Sequence, residues 1–191
     1  MAEKSAKLYG AFAWTAFAFN TLFSTLFAVL AWFTFTEFKR VSKDPVLVAA
    51  ADVRPKDWVA LFRGAAVSAF FSVLLVILFV IQALYYMLFS RKSLAHPRSK
   101  FGRGFLMAGS FMSALHIANI AQQFYSFEPA MDSWVSEFHV SFNTMLLTST
   151  WVFGYISAAT FLVFAVMLAL WHDTQAEDVE HQILTTARNV A

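Results

Sequence analysis

The stretch FFSVLLVILFVIQALYYMLF, residues 70–89, contains twenty residues and no charged side chain. Its residues show no alternation of apolar and polar types, and they are apolar on every helical face, which is not typical of a strand or a surface helix. A helix needs about 20 apolar residues to cross the hydrocarbon core of a bilayer. The stretch therefore predicts a membrane-spanning helix.

The composition of the whole chain points the same way. Of its 191 residues, 59% are hydrophobic and only 14% are charged, whereas soluble domains carry about a quarter charged residues. The net charge of +2 is too small for a nucleic-acid-binding surface, so we expect no nucleic-acid partner. The absence of cysteine excludes disulfides, thiolate metal sites and iron–sulfur clusters, and we expect no metal site.

Gaps between charged residues locate four candidate membrane helices, because charges are costly in the hydrocarbon core. The gaps contain 29, 27, 24 and 35 residues, so each accommodates one crossing. The sequence thus predicts an all-α polytopic membrane protein, a bundle of four transmembrane helices running up, down, up and down, as a single domain over residues 1–191. The predicted helices cover about 8–36, 59–90, 104–127 and 138–172, and a short amphipathic tail covers 173–191.

The third predicted helix is followed by a proline, Pro129. We expect Glu128-Pro129 to end the third helix, because proline disfavours helical conformation in the residue before it.

With both termini on one side of the membrane, that side carries eight basic residues and the other carries six. This bias, together with the basic loop RKSLAHPRSKFGR, predicts that both termini face the cytoplasm or the equivalent matrix or stromal side.

Small residues recur at four-residue spacing in every predicted helix. Such stripes let membrane helices approach closely, either inside one bundle or between subunits. Packing within the chain is the simpler interpretation, and a specific oligomer contact is the alternative. The stripe residues are Ala16, Asn20, Ser24, Gly64, Ser68, Ser72, Gly109, Ser113, Thr150, Gly154 and Ala158.

The predicted third helix carries the most polar face of the molecule. His116, Asn119 and Gln123 follow one another at spacings of three and four, and Gln122 is adjacent. Buried polar groups in lipid need partners, so we expect this face to point into the bundle or into another subunit. Three interpretations remain open: a hydrogen-bond network between helices, the lining of a small-molecule, lipid or quinone pocket, and a cofactor site. The candidate network partners are Asn20, Gln82, Asn143, Thr144 and Thr148.

In the cofactor interpretation, His116 is an axial ligand to haem or to a chlorophyll magnesium. A bis-histidine haem needs two histidines at the same depth, and only His116 lies deep in a predicted span. We therefore expect at most a cofactor that is held by a single histidine. The sequence does not identify that cofactor.

No sequence motif of a catalytic site is present. HExxH, GxSxG, P-loop and GxGxxG patterns are absent, and no Asp, Glu or Lys lies in the core of a predicted span. We therefore identify no catalytic residue and no proton or Na⁺ relay. The 23 phenylalanines are interpreted as bulk that faces lipid.

These features favour a non-catalytic integral membrane subunit or scaffold, which assembles into a larger membrane complex or a homo-oligomer. The expected partners are membrane lipids and other membrane protein subunits or a second copy of the chain. One alternative is a channel or carrier whose pore forms at a subunit interface. The other is a pigment- or haem-binding membrane protein that uses His116.

Overall fold

The structure is a computed structural model, and it describes residues 2–41, 43–46, 74, 77, 81, 84, 97–139 and 141–190. Three long helices account for most of them: α1 (Ala2–Val41), α2 (Pro97–Phe138) and α3 (Thr144–Val190). No strand occurs in these ranges, so the predicted all-α class is confirmed for them.

Each of the three helices contains a segment long and apolar enough to cross a membrane. These segments are Ala11–Val41, Gly104–Pro129 and Thr144–Leu170. They correspond to the first, third and fourth predicted spans. Most of the predicted second span, 59–90, lies outside the described residues. Its four described positions, Leu74, Ile77, Ile81 and Leu84, are helical and exposed.

Helix α3 packs against both other helices and runs antiparallel to each of them. Thr34 of α1 contacts Thr150, whereas Asn20 contacts Thr160. Since the α1 position falls as the α3 position rises, the two helices run in opposite directions. The pairs of Glu128 with Trp151 and Gln122 with Tyr155 show the same relation between α2 and α3. Helices α1 and α2 therefore run in the same direction.

Large aromatic and aliphatic side chains fill the space between the helices. Phe17 and Phe164 lie with ring centroids 5.6 Å apart, and Phe38 stacks on Phe142 at 5.3 Å. Several phenylalanines are fully buried, so the interpretation of phenylalanine as lipid-facing bulk is wrong for these positions. Large rings here fill the gaps between helix backbones. The buried phenylalanines are Phe17, Phe27, Phe38, Phe124, Phe161 and Phe164.

Helix α2 continues through the proline that was expected to end it. Pro129 lies inside the helix, which ends only at Phe138. A proline within a helix removes one hydrogen bond, here to the Tyr125 carbonyl. Pro129 is exposed and is the last residue of the apolar segment Gly104–Pro129.

A short connection joins α2 to α3 and is held against the end of α1. His139 adopts a left-handed conformation with φ 50°, which is typical of the residue after a helix. The side-chain oxygen of Asn143 accepts a hydrogen bond from the Leu146 backbone N–H at 3.1 Å and so caps α3. Arg40 of α1 pairs with Glu37 at 2.7 Å and also donates to the Ser141 carbonyl. This contact fixes the connection to α1.

Candidate functional site

Two pairs of hydroxyl groups join α1 to α3 in the interior. The Ser24 and Ser157 hydroxyl oxygens are 2.9 Å apart, and those of Thr34 and Thr150 are 2.7 Å apart. All four side chains are fully buried. Each pair satisfies hydroxyl groups that would otherwise face hydrocarbon. The α1–α3 interface therefore contains polar groups that bond to each other and are not accessible from outside the bundle.

Asn20 extends this polar interior toward the start of α1. Its side-chain oxygen accepts hydrogen bonds from the hydroxyls of Ser24, at 3.2 Å, and Thr160, at 3.4 Å. Its amide nitrogen, Nδ2, is buried and has no hydrogen-bond partner in the described part of the chain. Asn20 is therefore anchored through its oxygen alone.

Gly154 marks the closest approach of all three helices. A Cβ atom at this position would lie 2.7 Å from the Cβ of Ala121 in α2 and 2.9 Å from a ring carbon of Phe27 in α1. Real Cβ atoms do not approach that closely, so only glycine fits the observed spacing. The small residue at 154 thus lets α3 lie between its two neighbours.

The predicted small-residue stripes fall into three groups. Asn20, Ser24, Thr150, Gly154 and Ala158 are buried between helices. Ala16, Gly109 and Ser113 are half-buried at the edges of the contacts. Gly64, Ser68 and Ser72 lie outside the described residues. For the described stripes of α1 and α3, the small residues face each other within one chain.

The predicted polar face of α2 is divided between buried and exposed positions. His116 and Gln123 are half-buried, whereas Asn119 and Gln122 are exposed. The side-chain oxygen Oε1 of Gln122 accepts a hydrogen bond from the Tyr155 hydroxyl of α3 at 2.5 Å. The face therefore lies along one edge of the α2–α3 contact.

His116 and Asn119 are the two members of this face that could bind something else. The ring nitrogen Nε2 of His116 is buried and has no hydrogen-bond partner among the described residues. Asn119 carries an exposed amide within the apolar segment Gly104–Pro129. A single imidazole nitrogen can ligate a metal centre, and an amide can donate and accept hydrogen bonds.

The expected network partners of this face make other contacts. The Thr148 hydroxyl lies within hydrogen-bond distance of the Glu128 carboxylate and of the Thr144 carbonyl, and Asn143 caps α3. Gln82 lies outside the described residues. The polar face of α2 therefore contacts α3 at Tyr155. The buried hydroxyls of α1 contact other residues of α3, Thr150 and Ser157.

Sequence reasoning missed a group of polar and aromatic side chains around Glu128, at the end of the apolar part of α2. One Glu128 carboxylate oxygen accepts from Thr148 and the other from the indole N–H of Trp151, at 3.0 Å. The Trp151 ring meets Tyr125 at 5.3 Å and Tyr155 at 6.1 Å, both nearly at right angles. We call this group the Glu128 cluster, and it consists of Gln122, Tyr125, Glu128, Thr148, Trp151 and Tyr155.

A signal for this cluster was present in the sequence. Thr148, Trp151 and Tyr155 recur at spacings of three and four on α3, and Tyr125 and Glu128 are three residues apart on α2. Residues so spaced share a helix face. From the sequence alone, Glu128 is a charge that bounds a membrane span and the residue before Pro129, and its pairing with the aromatic face of α3 follows from neither role.

The charges of the site limit its chemistry. Within the described ranges, no Lys, Arg or His forms an ion pair with Glu128, and no group of three or more His, Asp and Glu side chains is placed to hold a metal ion. The cluster therefore presents one fixed carboxylate among aromatic rings. A carboxylate beside aromatic ring faces can attract a cation.

Comparison with known proteins gives no match. No family model matches the chain, and no curated protein or solved structure is significantly similar to it.

Proposed function

We propose that this chain is a non-catalytic integral membrane subunit or scaffold, which assembles into a larger membrane complex or a homo-oligomer through the outer face of α2. The observation that carries the proposal is Asn119, whose amide is exposed within the apolar segment Gly104–Pro129. Its neighbours on the surface are large apolar side chains. Met112 is 64% exposed and Leu115 is 52% exposed.

An amide in hydrocarbon requires a hydrogen-bond partner, because no water is present to take that role. The hydroxyl groups of Ser24, Ser157, Thr34 and Thr150 find their partners within the chain, whereas Asn119 has none among the described residues. A helix from another subunit would supply the missing partner. A second copy of the chain would do so by symmetry, since Asn119 would then face its own counterpart.

The same proposal includes a fourth membrane helix over 59–90 and a location of both termini on the cytoplasmic, matrix or stromal side. The four described positions 74, 77, 81 and 84 support the helix, because they are helical and spaced by three and four. The side of the termini rests on the basic bias of the sequence.

Association of the purified protein tests the proposal. The full chain is solubilised in mild detergent, its mass is measured by light scattering, and co-purifying chains are identified after crosslinking. We expect Asn119→Leu to weaken the association about tenfold, the effect of one strong interhelical hydrogen bond in a membrane. Ser126→Ala is the matched control, because the exposed Ser126 hydroxyl already bonds the Gln122 carbonyl.

Three results would count against the proposal. They are a solitary monomer at native abundance, equal association of the Asn119→Leu and Ser126→Ala variants, and an ion or solute flux in liposomes that is lost on Asn119→Leu. The last result would replace the subunit with the channel or carrier.

The buried, unpartnered Nε2 of His116 favours a second candidate, a pigment- or haem-binding membrane protein. A visible absorption spectrum of the protein purified from its native membrane tests it. Absorption that disappears in His116→Ala and persists in His139→Ala would support the cofactor function, since His139 is exposed in the α2–α3 connection. A colourless wild-type preparation would exclude it.

A further inference from the structure

The Glu128 cluster combines a fixed negative charge with aromatic rings at the end of a membrane span. We propose that it binds the trimethylammonium group of a choline phospholipid. This inference concerns a lipid rather than a protein partner, and it is independent of the subunit function proposed above.

The carboxylate is held in place from two sides. Thr148 donates to one oxygen and Trp151 donates to the other, and both donors belong to α3. Glu128 itself is half-buried on α2. Because two donors from a neighbouring helix fix the carboxylate, its charge has a defined position before any ligand arrives.

A charge in this position needs a counter-charge. A half-buried carboxylate loses part of its hydration, and it regains stability when a cation lies nearby. No cationic side chain in the described ranges pairs with Glu128. A bound cation can supply such a counter-charge.

The rings beside the carboxylate select the kind of cation. Tyr125 and Tyr155 are 47% and 36% exposed, so their surfaces are accessible from outside the bundle. Their rings stand at 79° and 74° to the ring of Trp151. Aromatic rings that meet at steep angles attract cations through their electron-rich faces, and aromatic cages bind quaternary ammonium groups in this way.

The hydrogen bonds of the site favour a quaternary over a primary ammonium. Both Glu128 oxygens already accept a hydrogen bond from the protein, and the Gln122 oxygen accepts one from Tyr155. A primary ammonium gains most from free acceptors, and the protein already uses two of the about four lone pairs of this carboxylate. A trimethylammonium group needs none and gains from charge and ring contact alone.

The depth of the cluster identifies a lipid as the source of this group. Glu128 is the penultimate residue of the apolar segment Gly104–Pro129, and Thr148 and Trp151 lie near the start of the segment Thr144–Leu170. The cluster thus lies where hydrocarbon gives way to headgroups, the level at which Trp and Tyr are enriched. Choline headgroups occupy that level.

Lipid retention in native mass spectrometry tests the proposal. The full chain in detergent is titrated with dioleoyl-phosphatidylcholine, dioleoyl-phosphatidylethanolamine or dioleoyl-phosphatidylglycerol, which share the same acyl chains. We expect phosphatidylcholine to bind most tightly. The Glu128→Gln variant should weaken its binding about tenfold and leave phosphatidylglycerol unchanged. Asp132→Asn is the matched control, because Asp132 is an exposed carboxylate on the same helix.

A second variant separates binding from folding. Glu128→Gln removes contacts between α2 and α3, so thermal unfolding of each variant is measured alongside. Tyr125→Leu removes a ring that is 47% exposed and contacts Trp151, and we expect it to weaken phosphatidylcholine binding by about fivefold at temperatures where the variant is still folded. Loss of binding in both variants, with Asp132→Asn unaffected, supports the proposal.

Several outcomes would overturn it. One is equal binding of the three lipids by the wild type, and another is wild-type phosphatidylcholine affinity in the stably folded Tyr125→Leu variant. Tight binding of choline chloride without lipid would assign the cluster to the free cation instead. Dissociation of an oligomer on Glu128→Gln, without loss of lipid, would assign it to a protein contact.

Discussion

The α1–α3 interface and the outer face of α2 both contain polar side chains within apolar segments. These side chains are buried and paired at the α1–α3 interface, but they remain accessible on the outer face of α2. Between α1 and α3, Ser24 pairs with Ser157 and Thr34 with Thr150, all fully buried. On the outside of α2, Asn119 is exposed, and Glu128 is held by α3 while remaining accessible. Hydroxyl pairs that close on each other fasten the fold. Polar groups left accessible on an apolar helix surface are available to partners.

The largest effect that would test this difference is expected at Gly154. The Gly154→Ala variant places a Cβ against Ala121 and Phe27, which forces the three helices apart. Overpacking of this kind costs about 2 kcal/mol. The free energy of unfolding is measured by titration with SDS in mixed micelles.

Gly104→Ala is the control for the substitution itself, because nothing lies within 4 Å of a Cβ at position 104. It should leave stability unchanged or raise it by about 0.5 kcal/mol through helix propensity. Equal stability of the Gly154→Ala and wild-type proteins would contradict the close three-helix contact.

The next effect concerns the direction of the hydrogen bond between Thr34 and Thr150. The Thr150 hydroxyl also donates to the Leu146 carbonyl at 2.8 Å, so Thr34 is the donor within the pair. Thr150→Val leaves the buried Thr34 hydroxyl without an acceptor and should cost about 1.5 kcal/mol. Thr34→Val leaves Thr150 satisfied and should cost about 0.6 kcal/mol. The same SDS titration measures both, and equal costs would contradict this direction.

A smaller effect is expected where α2 meets α3 at the cluster. Trp151→Phe keeps an aromatic ring but removes the N–H that donates to Glu128. We expect a loss of about 1 kcal/mol in the free energy of unfolding, because the hydrogen bond to the carboxylate is half-buried. Trp32→Phe, on an exposed position of α1, is the control and should change nothing. Equal effects of the two substitutions would show that the indole N–H does not stabilise the contact.

The smallest effect is expected at Asn119. Since its amide is exposed and makes no contact that holds the described helices together, Asn119→Leu should change the unfolding free energy of the monomer by less than about 0.5 kcal/mol. The measurement is made at a detergent-to-protein ratio that keeps the chain monomeric. A larger loss would mean that Asn119 stabilises the fold of the chain, and the outer face of α2 would then resemble the α1–α3 interface.

The apolar segments of the fold were readable from the sequence because charge avoidance in lipid acts on every residue of a span. The gaps before Glu37 and Glu128 predicted segments that the structure contains as Ala11–Val41 and Gly104–Pro129. The full length of α2 was not predictable in this way. Pro129 costs a single hydrogen bond at an exposed position, and local sequence does not reveal that the helix tolerates this cost.

The candidate site was harder to predict, because it depends on which helix faces meet. The polar face of α2 followed from spacing alone, so His116 and Asn119 were identified. The pairing of Glu128 with Trp151 depends on the register between α2 and α3, which no periodicity within one helix encodes. The burial of Phe27 and Phe161 likewise depends on how closely the helices approach.

Helix α3 continues well past its apolar segment, from Leu170 to Val190, without a glycine or proline in that stretch. At 1.5 Å per residue, the extension is about 30 Å long. A continuous helix rotates as one body about its axis. If α3 rotated by one residue position within the bundle, about 100°, the side chains of the extension would rotate by the same angle. The close contacts at Gly154 with Ala121 and Phe27 thus help to fix the angular direction in which the residues beyond Leu170 are presented.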